Sequence, residues 1–151
     1  MFKLITRSKI PSKDNEKSFI IFRLPGFSRN LRKEVTKMDK IYFYDTGVRN
    51  AIIGNLNLLQ NRDDAGKLWE NFLILERIKK QAYAQKLSSH YFWRLTSGAE
   101  LDLIEETDGK IHGLEIKYGK KTAKPPQSWT TTYPDAAVAT INQSNWQKFI
   151  L

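Results

Sequence analysis

The chain has 151 residues, 40% hydrophobic and 27% charged, enough for one domain with its own core. It has no cysteine, no apolar run long enough for a secretory signal or membrane span, and no glycine-rich loop followed by Lys and Ser/Thr; this excludes a disulfide framework, a cysteine-based zinc site, a thiol nucleophile and a nucleotide site of that type, and fits a cytoplasmic protein. The net charge of +9 is uneven: residues 1–40 hold 11 Lys/Arg against 4 Asp/Glu, whereas residues 81–120 hold 5 against 6, so a basic flank lies beside an acidic centre, as suits either a polyanionic partner near a cation site or a solvated basic surface.

No internal repeat or low-complexity tract interrupts the chain. Residues 1–17 are polar and mostly charged and read as an arm. "FIIFRL" (19–24) predicts a strand, Pro25-Gly26 a turn, and "FSRNLRK" (27–33) a returning strand carrying Arg29, Arg32 and Lys33. "KIYFYD" (40–45) predicts a further strand. Asp45 then suits the N-cap of a short helix, "TGVRNAII", closed by Gly54. A long helix is expected from Asp64 to about Gln85, capped by Asp63 or Asp64, with Ala65, Leu68, Phe72, Leu75 and Ala82 as its buried stripe. On this spacing Glu70 lies off the stripe, among the apolar neighbours Trp69, Leu73 and Ile74.

"HYFWRLT" (90–96) predicts a strand, and "AELDLIEE" and "KIHGLEIK" form a hairpin about Asp108-Gly109, a favoured two-residue turn. After the Lys-rich stretch 117–124 and Pro125-Pro126, a short helix "QSWTTTY", a buried strand "AAVATIN" (136–142) and a terminal turn through Trp146 and Phe149 are expected. Alternating helices and strands argue for an α/β fold: a mixed sheet with helices packed on it. Trp93, Trp129, Tyr133 and Trp146 could stack nucleic-acid bases, but core or core-edge packing is the plainer use of them. His90 and His112 are too far apart for a helical metal pair, and His112 suits the core edge or the surface.

The hairpin turn fixes a register in which Thr107 faces Lys110, Leu103 faces Leu114 and Leu101 faces Ile116, one apolar face of cross-strand pairs. The other face then sets Asp102 opposite Glu115 and Glu100 opposite Lys117, with Glu115 and Lys117 on one side. Opposed carboxylates destabilise a sheet unless a cation lies between them, and hard oxygen ligands suit Mg²⁺ or Mn²⁺. Such an ion could orient a phosphodiester and stabilise charge on its oxygens, while Lys117 positions or helps to activate a water. Gly113 keeps the neighbourhood uncrowded, and Lys120, Lys121 and Lys124 follow closely as candidate phosphate contacts, as do Arg29, Arg32 and Lys33.

"LDLIEETDGKIHGLEIK" resembles the Asp…Glu-x-Lys core of the PD-(D/E)XK nuclease superfamily, and Gly66-x3-Glu70 in "GKLWENFLILERI" resembles its first-helix acidic motif. More closely, "FRLPGFSRNLRKE", "KIYFYDTGVRNAIIG" and "GAELDLI…LEIKYGKK" resemble an uncharacterised domain found C-terminal to AAA+-type ATPase modules in bacteria and archaea, over roughly residues 18–151. The resemblance implies a restriction-endonuclease-like fold. It also implies metal ligands at Asp102 and Glu115, a catalytic Lys117 and an accessory acid at Glu70, with Glu76 as the competing helix carboxylate. The ATPase and winged-helix segments that precede this domain in the family are missing, which implies a fragment or a truncated relative. Residues 18–39 look like the last hairpin of such a segment, and residues 40–151 like the nuclease-like domain. Two functions are expected from this: a Mg²⁺-dependent nuclease-like domain acting on DNA, or an inactive nucleic-acid- or protein-binding module serving an ATPase.

Overall fold

The computed structural model describes residues 19–29, 34 and 38–151. The polar arm at 1–17 and two of the candidate phosphate contacts, Arg32 and Lys33, lie outside the described residues. Among the described residues the fold is mixed α/β, with two sheets and four α-helices. The first sheet is an antiparallel hairpin of β1 (Ile21–Pro25) and β2 (Asp39–Phe43), with Ile21 facing Phe43 and Pro25 facing Asp39. The described hairpin partner of β1 is therefore β2, across a connection of 13 residues, rather than a strand directly after the Pro25-Gly26 turn; residues 30–33 of the expected return strand lie outside the described residues. Gly26 instead bridges to Phe92, and Phe27 N–H donates to the Phe92 carbonyl at 2.7 Å. The backbone just past the proline is thus spent on anchoring the hairpin to the second sheet.

That second sheet runs β3 (Ser89–Arg94), β4 (Glu100–Thr107), β5 (Lys110–Ile116), β6 (Ala137–Ile141) in spatial order. β3–β4 and β4–β5 are antiparallel, and β5–β6 is parallel. The β4–β5 register is as the turn requires: Thr107 faces Lys110 and Leu103 faces Leu114. Asp108 (φ 52°) and Gly109 (φ 74°) both take the left-handed backbone that a two-residue hairpin of this hand needs. β6 is an edge strand with alternating exposure, rather than the buried strand its apolar sequence suggests.

α1 (Thr46–Ile53) is capped as expected, Asp45 Oδ1 accepting from Val48 N–H at 2.8 Å and Gly54 closing it at φ 70°. α2 (Ala65–Tyr83) buries Ala65, Glu70, Asn71, Leu73, Ile74, Leu75 and Gln81. Its inner face is therefore rotated from the expected stripe: Leu68 and Phe72 are only half-buried and Ala82 is exposed, while Glu70 points inward. Leu73 and Ile74 pack with Phe92, Leu103, Leu114, Ile116 and Ile141, and with Phe149 of α4 (Trp146–Ile150). On the opposite face Trp129 of α3 (Gln127–Thr132) packs with Phe27, Trp93, Leu101, Ile104, Ile111 and Tyr133. Trp93 and Trp129 meet edge to face at 5.1 Å, a pairing worth about 0.5–1.5 kcal/mol beyond area burial. Trp93, Trp129 and Tyr133 are core residues, and Trp146 lies at the core edge.

Leu101 and Leu103 fall on opposite faces of the sheet, although two-residue alternation puts them on one. The cause is a register shift between β3 and β4: Tyr91 faces Ile104, but Trp93 faces Leu101. Phe92 alone therefore stands against both Asp102 and Leu103, a bulge of two residues against one, the device by which strands re-aim a side chain.

Candidate functional site

The bulge puts Asp102 at the point where the β4–β5 pairing ends. The paired register begins at Leu103–Leu114, one step short of the expected Asp102–Glu115 opposition. Beyond it the Asp102 carboxylate takes up the strand's donor: Ile116 N–H donates to Asp102 Oδ2 at 2.8 Å. The other oxygen, Oδ1, turns toward a residue that sequence reasoning passed over. Lys40 of β2 sets its Nζ 3.3 Å from Asp102 Oδ1, 3.3 Å from Glu70 Oε1 and 2.6 Å from Glu100 Oε1. Its side chain is only 12% exposed, and the ammonium lies 5.5 Å from the Phe92 ring centroid. Glu100 thus pairs with Lys40, and at 3.6 Å with Arg94, rather than with Lys117.

Glu70 is held from three sides. Tyr42 donates its hydroxyl to Oε1 at 2.7 Å, Lys40 shares that oxygen, and Lys67 Nζ donates to Oε2 at 3.0 Å. Lys40 and Tyr42 lie two apart on β2, so one strand face presents both. That spacing in "KIYFYD" was the available signal for these two residues; their partners, about 30 and 60 positions on, were not visible in it. The competing helix carboxylate, Glu76, is ion-paired with Lys79 one turn along the same helix and does not join the cluster.

Glu115 is the penultimate residue of β5 and alternates with Leu114 and Ile116, which face α2. Its Oε1 accepts from Lys117 Nζ at 2.5 Å, and Lys117 N–H donates to the Ile141 carbonyl of β6. The expected acid, acid, base set is brought to one end of the sheet, joined by Lys40, Tyr42, Lys67 and Glu100.

The electrostatics reflect an excess of acid. Burial raises the Asp102 carboxyl to about 6; Glu70 and Glu115 push the same way, against Lys40 and the Ile116 N–H. Burial also acts to raise Glu70, but Lys40, Lys67 and the Tyr42 hydroxyl outweigh it and hold Glu70 below its ordinary value. Burial works to discharge Lys40, yet the surrounding carboxylates raise its affinity for its proton. Lys117, likewise, is raised by Glu115 against the opposing effect of burial, so it is an ammonium near neutral pH, a charge stabiliser rather than a ready base.

The donors have the chemistry of a hard-cation site: carboxylate oxygens from α2, β4 and β5 at one sheet end. As arranged, however, Glu70 and Asp102 close on Lys40 and Glu115 on Lys117, and among the described residues no three acidic or imidazole side chains stand together as a ready cage for a metal ion.

The candidate phosphate contacts are dispersed. Arg29 is ion-paired with Glu106 at 2.9 Å, near the hairpin turn. Lys120, Lys121 and Lys124 are exposed on the loop after β5. That loop is fixed to the β6 end: Asn142 Nδ2 donates to the Lys120 and Lys121 carbonyls, and Ala123 N–H donates to Thr140 Oγ1. A cleft of about 640 Å³ lies away from the acid cluster, lined by Arg29, Lys110, His112, Tyr133 and Asp135. His112 is exposed on its rim.

Residues 65–145 match the family described as "Domain of unknown function (DUF4143)", and residues 16–59 match a second, "Domain of unknown function (DUF8612)". Uncharacterised proteins of Mycobacterium bovis and of Mycobacterium tuberculosis are each 31% identical over 102 residues, 66% of this chain and 22% of theirs. The chain thus spans about a fifth of the length of these relatives. No solved structure matches it.

Proposed function

The chain belongs to the DUF4143 family, and for it we propose a Mg²⁺- or Mn²⁺-dependent, PD-(D/E)XK-like domain that hydrolyses phosphodiester bonds in DNA. The observation that carries the reading is the convergence of Asp102, Glu70 and the Glu115–Lys117 pair at one end of a mixed sheet, with Asp102 raised to about 6 by burial and neighbouring acids. A buried carboxylate perturbed by named charge partners is a candidate for a functional site. Asp102, Glu115 and Glu70 would hold the ion. A bound divalent ion supplies charge neutralisation at the scissile phosphate and a more acidic water. The chain's own part is to fix Asp102 through the Ile116 N–H and to hold the Lys117 ammonium where charge builds on the phosphate. Lys120, Lys121 and Lys124, and Arg29 at the hairpin, would contact the DNA backbone.

A second reading draws on the seat of Lys40, which balances the acids without any metal: a non-catalytic module that binds DNA or docks onto an ATPase in a longer protein. The two part in one experiment. Supercoiled plasmid and branched DNA are incubated with wild type, Lys117→Ala and Glu115→Gln in Mg²⁺ or Mn²⁺. Cleavage by wild type that falls at least about a hundredfold in Lys117→Ala, the scale of losing a positioned charge, supports hydrolysis. Equal cleavage by both proteins ends that reading. Binding without products, unchanged in Glu115→Gln and falling with salt by about 0.9 in log affinity per log unit of salt for each neutralised phosphate, supports the module.

A further inference from the structure

An ammonium has three N–H donors. Lys40 places three carboxylate oxygens within 3.3 Å of its nitrogen, one each from α2 and from two positions of β4, so its bonding capacity is filled. Two of those oxygens are buried: Asp102 Oδ1, left over once Ile116 N–H takes Oδ2, and Glu70 Oε1, which also accepts the Tyr42 hydroxyl. A divalent ion needs carboxylate oxygens at about 2.0–2.6 Å. It cannot take these two while the lysine holds them.

We infer that Lys40 is a tethered cation that keeps the acid cluster closed and is exchanged for a divalent ion when the site loads. The inference rests on the metal-dependent reading above and adds the step that controls it. Four rotatable methylenes let the lysine head withdraw while β2 stays paired to β1. Closure also keeps the cluster from collapsing under its own repulsion before an ion arrives, because buried carboxylates left without a cation are strongly destabilising. Apparent metal affinity is then lowered by the fraction of molecules in which the lysine is in place.

The test is Mn²⁺ binding by isothermal titration calorimetry on the intact chain, wild type beside Lys40→Gln. If the lysine is in place in about nine molecules of ten, Lys40→Gln binds Mn²⁺ about tenfold more tightly. Its melting temperature, below wild type in EDTA, rises further than wild type's on adding Mn²⁺. Lys40→Gln/Asp102→Asn, which removes an acid along with the cation, keeps the fold and loses the gain. Equal affinities in wild type and Lys40→Gln, or no Mn²⁺ binding by Lys40→Gln, overturn the exchange. Should wild type bind Mn²⁺ about tenfold more weakly than Lys40→Gln and yet cleave no DNA, the exchange stands and the cleavage reading falls; no Mn²⁺ binding by wild type at any concentration overturns the exchange. Wild type alone gives an independent check if the variant does not fold. The slowly exchanging Lys40 ammonium signal in ¹⁵N NMR disappears on titration with Mg²⁺; its persistence at high Mg²⁺ overturns the inference.

Discussion

Two buried clusters of charge among the described residues are built on opposite principles. At the start of α2, Asp64 receives Arg62 through Nε (2.8 Å) and an Nη (2.9 Å), and Arg49 at 2.9 Å. Arg62 also donates to the Asn55 carbonyl and Asn50 Oδ1. Two forked cations surround one acid, and the hydrogen bonds from Arg62, with help from Arg49, pull the Asp64 carboxyl down to about 2. At the sheet end the ratio is reversed: three acids surround one ammonium, and Asp102 rises to about 6. The same residue type is pushed in opposite directions by its company. A cluster whose donors and acceptors are all engaged serves as a clamp, whereas an excess of one sign keeps a capacity for something not yet bound.

The sharpest way to break this comparison is Asp64→Ala. It leaves two buried guanidinium groups facing one another, and it should lower the melting temperature more than any single change at the acid cluster. The Asp64 carboxyl is lowered in the fold, so its contribution is present above its ordinary value of 3.8 and is lost as the pH falls from there toward about 2. Thermal melts across that range should therefore show the deficit of Asp64→Ala shrinking. Next in size is Gly113→Ala. A Cβ there would stand 2.8 Å from Leu101 Cδ1, with Val138 and Trp129 behind it, and overpacking of this kind costs about 1–3 kcal/mol in a denaturant titration. A loss of that size would show that packing, not charge, holds the strands carrying the acids. The smallest effect is expected from Asp102→Asn, roughly 1 kcal/mol, and upward at pH 7.5, because neutralising an unfavourable buried acid is often stabilising. The Asp102 carboxyl is raised in the fold, so its charge destabilises the protein above about 6 and is relieved as the pH falls from 6 toward 3.8. The advantage of Asp102→Asn should vanish by pH 4. A large loss at pH 7.5 would instead make the acid cluster a second clamp.

Much of this was legible from local chemistry. The Asp45 cap, the Gly54 stop and the turn at Asp108-Gly109 depend on neighbours a few positions away, and the β4–β5 register follows from that turn. Asp102, Glu115 and Lys117 could be read as one group from the hairpin register, whereas Glu70 joined them only through the family resemblance, with Glu76 left as its rival. Three things could not. The bulge opposite Phe92 carries no glycine or proline to announce it, because its cause is a mismatch with β3 rather than a local conformational need. Asp64 stands at the N-cap of α2 without capping it, since two arginines claim its oxygens. The partner of β1 lies beyond residue 38, where a turn-based reading of Pro25-Gly26 does not look.

The Lys40 contact also bears on how such chains can be recombined. The two hydrogen-bonded sheets are separate, and the two family matches fall on either side of a gap at residues 60–64, so a cut there invites itself as a module boundary. Yet the ammonium belongs to the first piece, and the carboxylates it neutralises belong to the second. Shuffled or transplanted separately, the second piece keeps Lys67 beside Glu70 and Arg94 beside Glu100, but leaves the buried Asp102 without its ammonium. Viable hybrids should retain the lysine and its acids as a co-inherited set, however freely the rest of either piece diverges.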